Sequence, residues 1–195
     1  MERIPDIILV WPHGIRPSTV AGLDDYTVMP LALESDGEWV DMHHLATPWF
    51  SKDDLRGWLV DYRRLALANG ILVARDRNGD IVATAGSIAN EKGGMFPRGG
   101  QLAWVATAPH HRRRGLSRML CTMATARLVE EQFPRIFVVT GDDMPEAIKC
   151  YRSLGYVPCL YADDQVERWK AICDATGDPF EPDAWPTVEA YVGGG

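Results

Sequence analysis

The stretch Trp104-Val-Ala-Thr-Ala-Pro-His-His-Arg-Arg-Arg-Gly-Leu-Ser-Arg-Met-Leu120 decides how this chain is read. An apolar strand runs into Pro109. Three arginines follow, then Gly115, then residues with the spacing of an amphipathic helix. The order suits a phosphate site. Backbone N–H groups at a helix start have no internal acceptor, and the helix dipole favours negative charge there. Gly115 lets the backbone approach a ligand closely. Arg112, Arg113, Arg114 and Arg118 add positive charge to a chain that is otherwise acidic.

Working downstream, the helix is predicted over residues 115–132, with Leu116, Met119, Leu120, Met123 and Leu128 on one face. Residues 136–140 are continuously apolar, as in a strand covered on both sides. Asp143 to Glu146 open another helix, with Asp143 as a cap and Pro145 in the first turn. Gly155 closes it, and residues 156–160 form a strand. A further helix is expected at 166–175. The proline-rich tail is expected to be loosely ordered unless Trp185 and Tyr191 pin it.

Upstream, residues 101–107 are a strand after a glycine-rich loop at 90–100. Asn78-Gly79 is a hairpin turn between strands at 71–74 and 81–88. Ser51 caps a helix bearing Leu55, Trp58, Leu59, Tyr62 and Leu65, which Asn69-Gly70 is expected to stop. Residues 34–50 carry Trp39, Trp49, Phe50 and the pair His43-His44 and resist assignment. Residues 26–33 are read as the first core strand, and the first 25 residues as irregular or one short edge strand.

With 20 basic and 27 acidic residues the net charge is −7, which argues against nonspecific nucleic-acid binding. The 195 residues suit one domain, at 46% hydrophobic and 24% charged content. The apolar run Ile7 to Trp11 is too short to cross a bilayer. The four cysteines (Cys121, Cys150, Cys159 and Cys173) form no Cys-x-x-Cys pair and no zinc pattern. They read as reduced thiols of a cytoplasmic protein. His43-His44 lacks a third ligand at suitable spacing, so no metal is expected.

The second half thus reads strand, phosphate loop, helix, strand, helix, strand. In such a unit ligands sit beyond the carboxyl ends of the strands. Its run Pro109-His-His-Arg112-Arg-Arg-Gly115-Leu-Ser117 resembles the acyl-CoA pyrophosphate loop of the GCN5-related N-acetyltransferase (GNAT) superfamily, Arg/Gln-x-x-Gly-x-Gly/Ala preceded by Pro-x-x. Ser117 stands where that family usually has Gly or Ala. A second segment, Ala147-Ile-Lys-Cys-Tyr151-Arg-Ser-Leu-Gly155-Tyr156, resembles the family's Ala-x-x-x-Tyr-x-x-x-Gly-Phe. Met144 stands where the family often has Asn.

The resemblance implies a single α/β domain over residues 1–195: a mixed, twisted sheet of about six or seven strands with helices on both faces and splayed parallel strands at the acyl-CoA site. Residues 26–70 would shape the acceptor side, 71–160 bind acyl-CoA, and 161–195 supply a C-terminal helix and tail. It implies acetyl transfer from acetyl-CoA to a primary amine, on a small molecule or a peptide, by direct attack. Arg112, Arg113, Arg114, Gly115, Leu116 and Ser117 would cradle the pyrophosphate. Val105, Ala106 and Thr107 would pair with the pantetheine arm and polarise the acetyl carbonyl. Tyr151 matches the tyrosine that often protonates the departing thiolate. The general base stays open between Glu91, Asp142, Asp143, the pair His110-His111 and water. A homodimer is possible, and no membrane or nucleic-acid partner is expected. The rival reading is a non-catalytic acyl-CoA-binding sensor or regulatory module.

Overall fold

The computed structural model describes residues 6–90 and 95–194. Seven strands form one sheet in the order β2-β3-β4-β5-β6-β1-β7. They are β1 (Ile7–Val10), β2 (Thr27–Pro30), β3 (Ala66–Arg75), β4 (Ile81–Asn90), β5 (Gly99–Thr107), β6 (Ile136–Thr140) and β7 (Val157–Pro158). Every pairing is antiparallel except β5 with β6. The helices are α1 (Asp36–Ala46), α2 (Lys52–Leu65), α3 (Leu116–Glu130), α4 (Pro145–Leu154), α5 (Gln165–Thr176) and α6 (Val188–Gly193). This is the expected mixed α/β sheet.

Helices cover both faces, and two neighbouring β4 side chains show it. Thr84 accepts a hydrogen bond from the Trp39 indole of α1 at 3.0 Å, and Ser87 donates to the Ala124 carbonyl of α3 at 2.9 Å. Residues three apart on a strand point to opposite faces, so α1 and α3 lie on opposite sides. On the α1 side, α2 buries Leu55, Leu59 and Tyr62 at helical spacing, and the Ser51 hydroxyl accepts from the Asp54 N–H at 3.1 Å. On the other side, α3 buries Leu116, Met119, Leu120, Ala124 and Leu128. Met123, expected on that face, is 40% exposed.

The N-terminal quarter departs most from expectation. β1, read as irregular or an edge, lies inside the sheet between β6 and β7. Its four consecutive apolar residues are all buried because both faces are covered. Ile7 and Leu9 join the main core, while Ile8 and Val10 join Phe96, Phe137, Cys159 and Tyr191 in a second cluster. Conversely β2, read as a core strand, is the mostly exposed edge, and Pro30 has no N–H to give a further neighbour.

Residues 34–50 resolve into a short 3-10 turn and α1, which buries Trp39, Val40, Met42, His43 and Ala46. Asn69-Gly70 does not end α2. That helix stops at Leu65, and Asn69 (φ +57°) sits in an irregularity of β3. A Cβ on Gly70 would stand 2.7 Å from the Ser87 carbonyl oxygen, so close backbone approach is what requires glycine there. β7 is shorter than predicted. The tail is not loosely ordered, because the stated exception holds: Trp185 and Tyr191 are buried, and the Tyr191 hydroxyl donates to the Trp11 carbonyl at 2.7 Å and accepts from the Ile136 N–H at 3.0 Å.

Candidate active site

The site begins where the sheet parts. β5 and β6 pair in parallel at Gly100 with Ile136, Gln101 with Phe137 and Leu102 with Val138, and no further. From Ala103 onward β5 keeps its β4 partner and loses its β6 partner. An irregularity against β4 between Thr84 and Gly86, with Trp104 at φ +52°, bends the strand there. The result is a wedge at the carboxyl ends of the two parallel strands, opening into a cavity of about 730 Å³. Its walls are the end of α1 with the following loop (Ala46, Thr47, Trp49), β5 (Val105, Ala106, Thr107), the arginine loop, and the first turns of α4.

The arginine loop makes an anion cradle of backbone. Arg113 (φ +64°) and Gly115 (φ +84°) adopt left-handed conformations, and α3 starts at Leu116. The N–H of Arg112 is taken by Pro109 and that of Met119 by Gly115. Between them, the N–H groups from Arg113 to Arg118 meet no acceptor among the described residues. A run of free donors at a helix head can receive an anionic group. A Cβ on Gly115 would make only an ordinary contact with Leu23 at 3.9 Å, so its positive φ is what calls for glycine.

The side chains of the loop behave differently from one another. The Arg112 guanidinium donates to the Ala46 carbonyl at 3.0 Å and the Thr107 carbonyl at 3.3 Å. It braces the end of α1 against the end of β5, and so serves the cradle as a strut. Arg114 points out of the cavity and donates to the Tyr26 hydroxyl at 3.1 Å; that hydroxyl also bonds His111 Nδ1 at 3.1 Å. Arg113 and Arg118 line the cavity. The Ser117 and Thr107 hydroxyls lie 2.9 Å apart, tying the first turn of α3 to the end of β5.

Of the other candidates, Tyr151 lines the cavity while being only 5% exposed. Burial pushes its hydroxyl well above the usual tyrosine range, so it keeps its proton at neutral pH. Asp142 is not brought to the cavity. Its carboxylate is held by Arg168 of α5, with Nε and Nη2 each at 3.0 Å. Asp143 lines the cavity without capping α4, whose N-cap residue is Met144 and has no side-chain cap. Glu91 lies outside the described residues. His111 lines the cavity, and His110 does not.

Two features escaped sequence reasoning. Residues 16–26 lean on the cradle through Tyr26 and through Leu23, 3.9 Å from where a Gly115 Cβ would be; no periodicity marks such a loop. His43 is 3% exposed and packs against Trp39 and Trp104, with Nδ1 3.0 Å from the Thr47 hydroxyl and Nε2 without a partner. Burial lowers its pKa to about 4. It is therefore neutral at physiological pH and too weak a base to deprotonate an ammonium. Among the described residues no group of His, Cys, Asp and Glu could hold a metal ion.

The profile of the Acetyltransferase (GNAT) family matches residues 39–156, more than half of the chain. The chain belongs to the GNAT family. Solved structures agree in fold. A GCN5-related N-acetyltransferase from Sphaerobacter thermophilus aligns over 80% of this chain and 49% of its own, with TM-score 0.61 and 14% identity. The ribosomal-protein-S18-alanine N-acetyltransferase of Escherichia coli aligns over 67% of this chain and 76% of its own, with TM-score 0.53 and 18% identity. The aminoglycoside N-acetyltransferase AAC(6')-Iy, solved in complex with CoA, aligns over 70% of this chain and 91% of its own, with TM-score 0.55 and 14% identity. This chain spans about half the length of the Sphaerobacter protein. A comparison with curated protein sequences gave no match. No helix among the described residues is long and apolar enough to cross a membrane.

Proposed function

We propose that this GNAT-family chain transfers an acetyl group from acetyl-CoA to a primary amine by direct attack. One observation carries the reading: the unpaired amides from Arg113 to Arg118 open into the same cavity as the unpartnered half of β5 and the Tyr151 side chain. These are donors for a diphosphate, donors for an acyl carbonyl and a protonated hydroxyl in a single space. In this reading Arg113, Gly115, Leu116 and Ser117 hold the pyrophosphate through main-chain N–H groups, with Arg118 and Lys149 adding charge at the cavity wall. Backbone of Val105 to Thr107 holds the acyl arm. One main-chain donor aimed at the developing oxyanion is worth about 3 kcal/mol in the transition state.

Tyr151 donates a hydrogen bond to the departing thiolate and so stabilises it. Its raised pKa makes complete proton transfer less favourable than hydrogen bonding. The acceptor enters beside Thr47 and Trp49. With Asp142 neutralised by Arg168 and His43 neutral, the amine loses its proton to water or to Asp143 or Glu146 at the cavity wall.

Calorimetric titration with acetyl-CoA, followed by thiol release across a panel of amines, tests the reading. Binding with thiol release is expected. Absence of binding at millimolar ligand overturns it, and binding without release from any amine leaves the non-catalytic module in its place.

A further inference from the structure

Tyr26 precedes the segment that matches the family profile, yet its hydroxyl reaches the arginine loop. It stands just before β2, with its N–H bonded to the Leu23 carbonyl at 2.9 Å. Its ring meets the His111 imidazole edge to face, with centroids 5.8 Å apart. His111 is fixed from the other side as well. Its N–H bonds the Ala108 carbonyl at 2.9 Å, closing the 3-10 turn Pro109–His111 that joins β5 to the arginine loop. Two hydrogen bonds meet at the Tyr26 hydroxyl oxygen, one from Arg114 Nη1 and one with His111 Nδ1, each 3.1 Å long. The other imidazole nitrogen, Nε2, has no partner among the described residues, and the ring forms part of the cavity wall.

The order of the protons follows from the donors. A guanidinium has no acceptor atom, so Arg114 donates to the Tyr26 oxygen. Tyr26 has a single proton to give, and His111 Nδ1 is the acceptor within reach. Were Nδ1 to carry the hydrogen instead, the Tyr26 proton would have no acceptor among the described residues. We propose that the relay Arg114–Tyr26–His111 fixes the neutral His111 ring with its proton on Nε2, and that this N–H is a further hydrogen-bond donor to a phosphate group of the ligand in the cradle. Tyr26 is then a positioning residue, acting through His111. The Arg114 charge polarises the Tyr26 hydroxyl and strengthens its bond to Nδ1. A neutral imidazole has one acceptor nitrogen, and Tyr26 occupies it, so His111 has no lone pair left to take a proton from an amine. It adds a directed donor beside the main-chain run from Arg113 to Arg118.

That the phosphate belongs to acetyl-CoA rests on the function proposed above, whereas the placing of the proton does not. Imidazole N–H correlation spectra of the full-length, isotope-labelled protein in alkaline buffer test the tautomer, with His111 identified as the signal lost in His111→Gln. The ligand-free protein is expected to show His111 protonated on Nε2 and unprotonated on Nδ1. Tyr26→Phe keeps the ring contact; it is expected to shift the Nδ1 resonance and to weaken acetyl-CoA binding about threefold by calorimetry. His111→Gln places an amide N–H near the position of Nε2 and should bind within about threefold of wild type. His111→Phe keeps an aromatic ring against Tyr26 but has no donor, and should bind about tenfold more weakly. A mere packing role would favour Phe over Gln. Affinity in His111→Phe equal to or above that in His111→Gln therefore overturns the inference, as does a ligand-free His111 protonated on Nδ1. Inorganic pyrophosphate is titrated as a separate probe while the His111 Nε2 signal is followed. If acetyl-CoA never binds and pyrophosphate still shifts that signal, the proposed function fails and the donor stands. If neither ligand shifts it, His111 is no donor and the inference falls.

Discussion

Two side chains in the cavity region make opposite uses of burial. In the proposed mechanism Tyr151 works uncharged, and desolvation preserves it as a proton-bearing donor. Tyr151→Phe should lower kcat by about a hundredfold and leave the acetyl-CoA dissociation constant within about twofold, because the cradle is main chain; steady-state kinetics beside calorimetry checks both. A variant with unchanged kcat would remove Tyr151 from the mechanism. His43 pays for its position in acid instead. Its pKa is about 4 in the folded chain against the usual 6.5, so between these values the unfolded chain binds a proton that the folded chain refuses. Stability should therefore be intact above pH 6.5 and fall as pH drops toward 4, by about 3 kcal/mol. In His43→Gln this part of the pH dependence should disappear, as urea melts at pH 7 and pH 4 will show.

Among the elements, the loop leading into α3 is the one most fully written in the residues. Arg112 to Ser117 needed a helix start, a glycine at positive φ and free amides, and all are present. The double variant Arg112→Ala, Gly115→Glu removes the strut to Ala46, strains a left-handed residue and places a carboxylate in the proposed anion site. It should weaken acetyl-CoA binding at least about tenfold, or ~1.4 kcal/mol, by calorimetry. Legibility followed how local the cause was. Ser51, Asn78-Gly79 and Gly155 act through neighbours in sequence, and the structure keeps each in the role read for it. Asp142 could not be read correctly, because its partner Arg168 is 26 residues away. Arg112 looked like a phosphate ligand by motif, and only the packing of α1 reveals that its guanidinium is engaged at Ala46. Residues 34–50 gave no clear signal because α1 is buried by Trp39 and His43 on a weakly amphipathic helix whose polar contacts, Thr84 and Thr47, come from elsewhere.

At the scale of the whole molecule, the cavity depends on a strand far from it in sequence. β6 forms one side of the wedge, and its other edge is paired along Ile7–Val10 of β1. β1 in turn holds β7, and Tyr191 of α6 locks the end of β1 to β6 through Trp11 and Ile136. Ile7, Leu9 and Val10 are wholly buried, and Ile8 and Trp11 nearly so. Each such side chain is worth about 1.5–3 kcal/mol in burial, so the segment contributes about as much as the 5–15 kcal/mol net stability of a typical domain. Removing residues 1–11 should abolish cooperative unfolding and acetyl-CoA binding together, even though no residue of the cradle is touched. A milder change separates support from collapse: Leu9→Ala should cost about 2–5 kcal/mol in urea denaturation while the surviving folded fraction binds acetyl-CoA with unaltered affinity. Were the truncated chain to unfold cooperatively near the full-length midpoint, β6 would be held by other contacts, and β1 would lose its place as the support of the wedge.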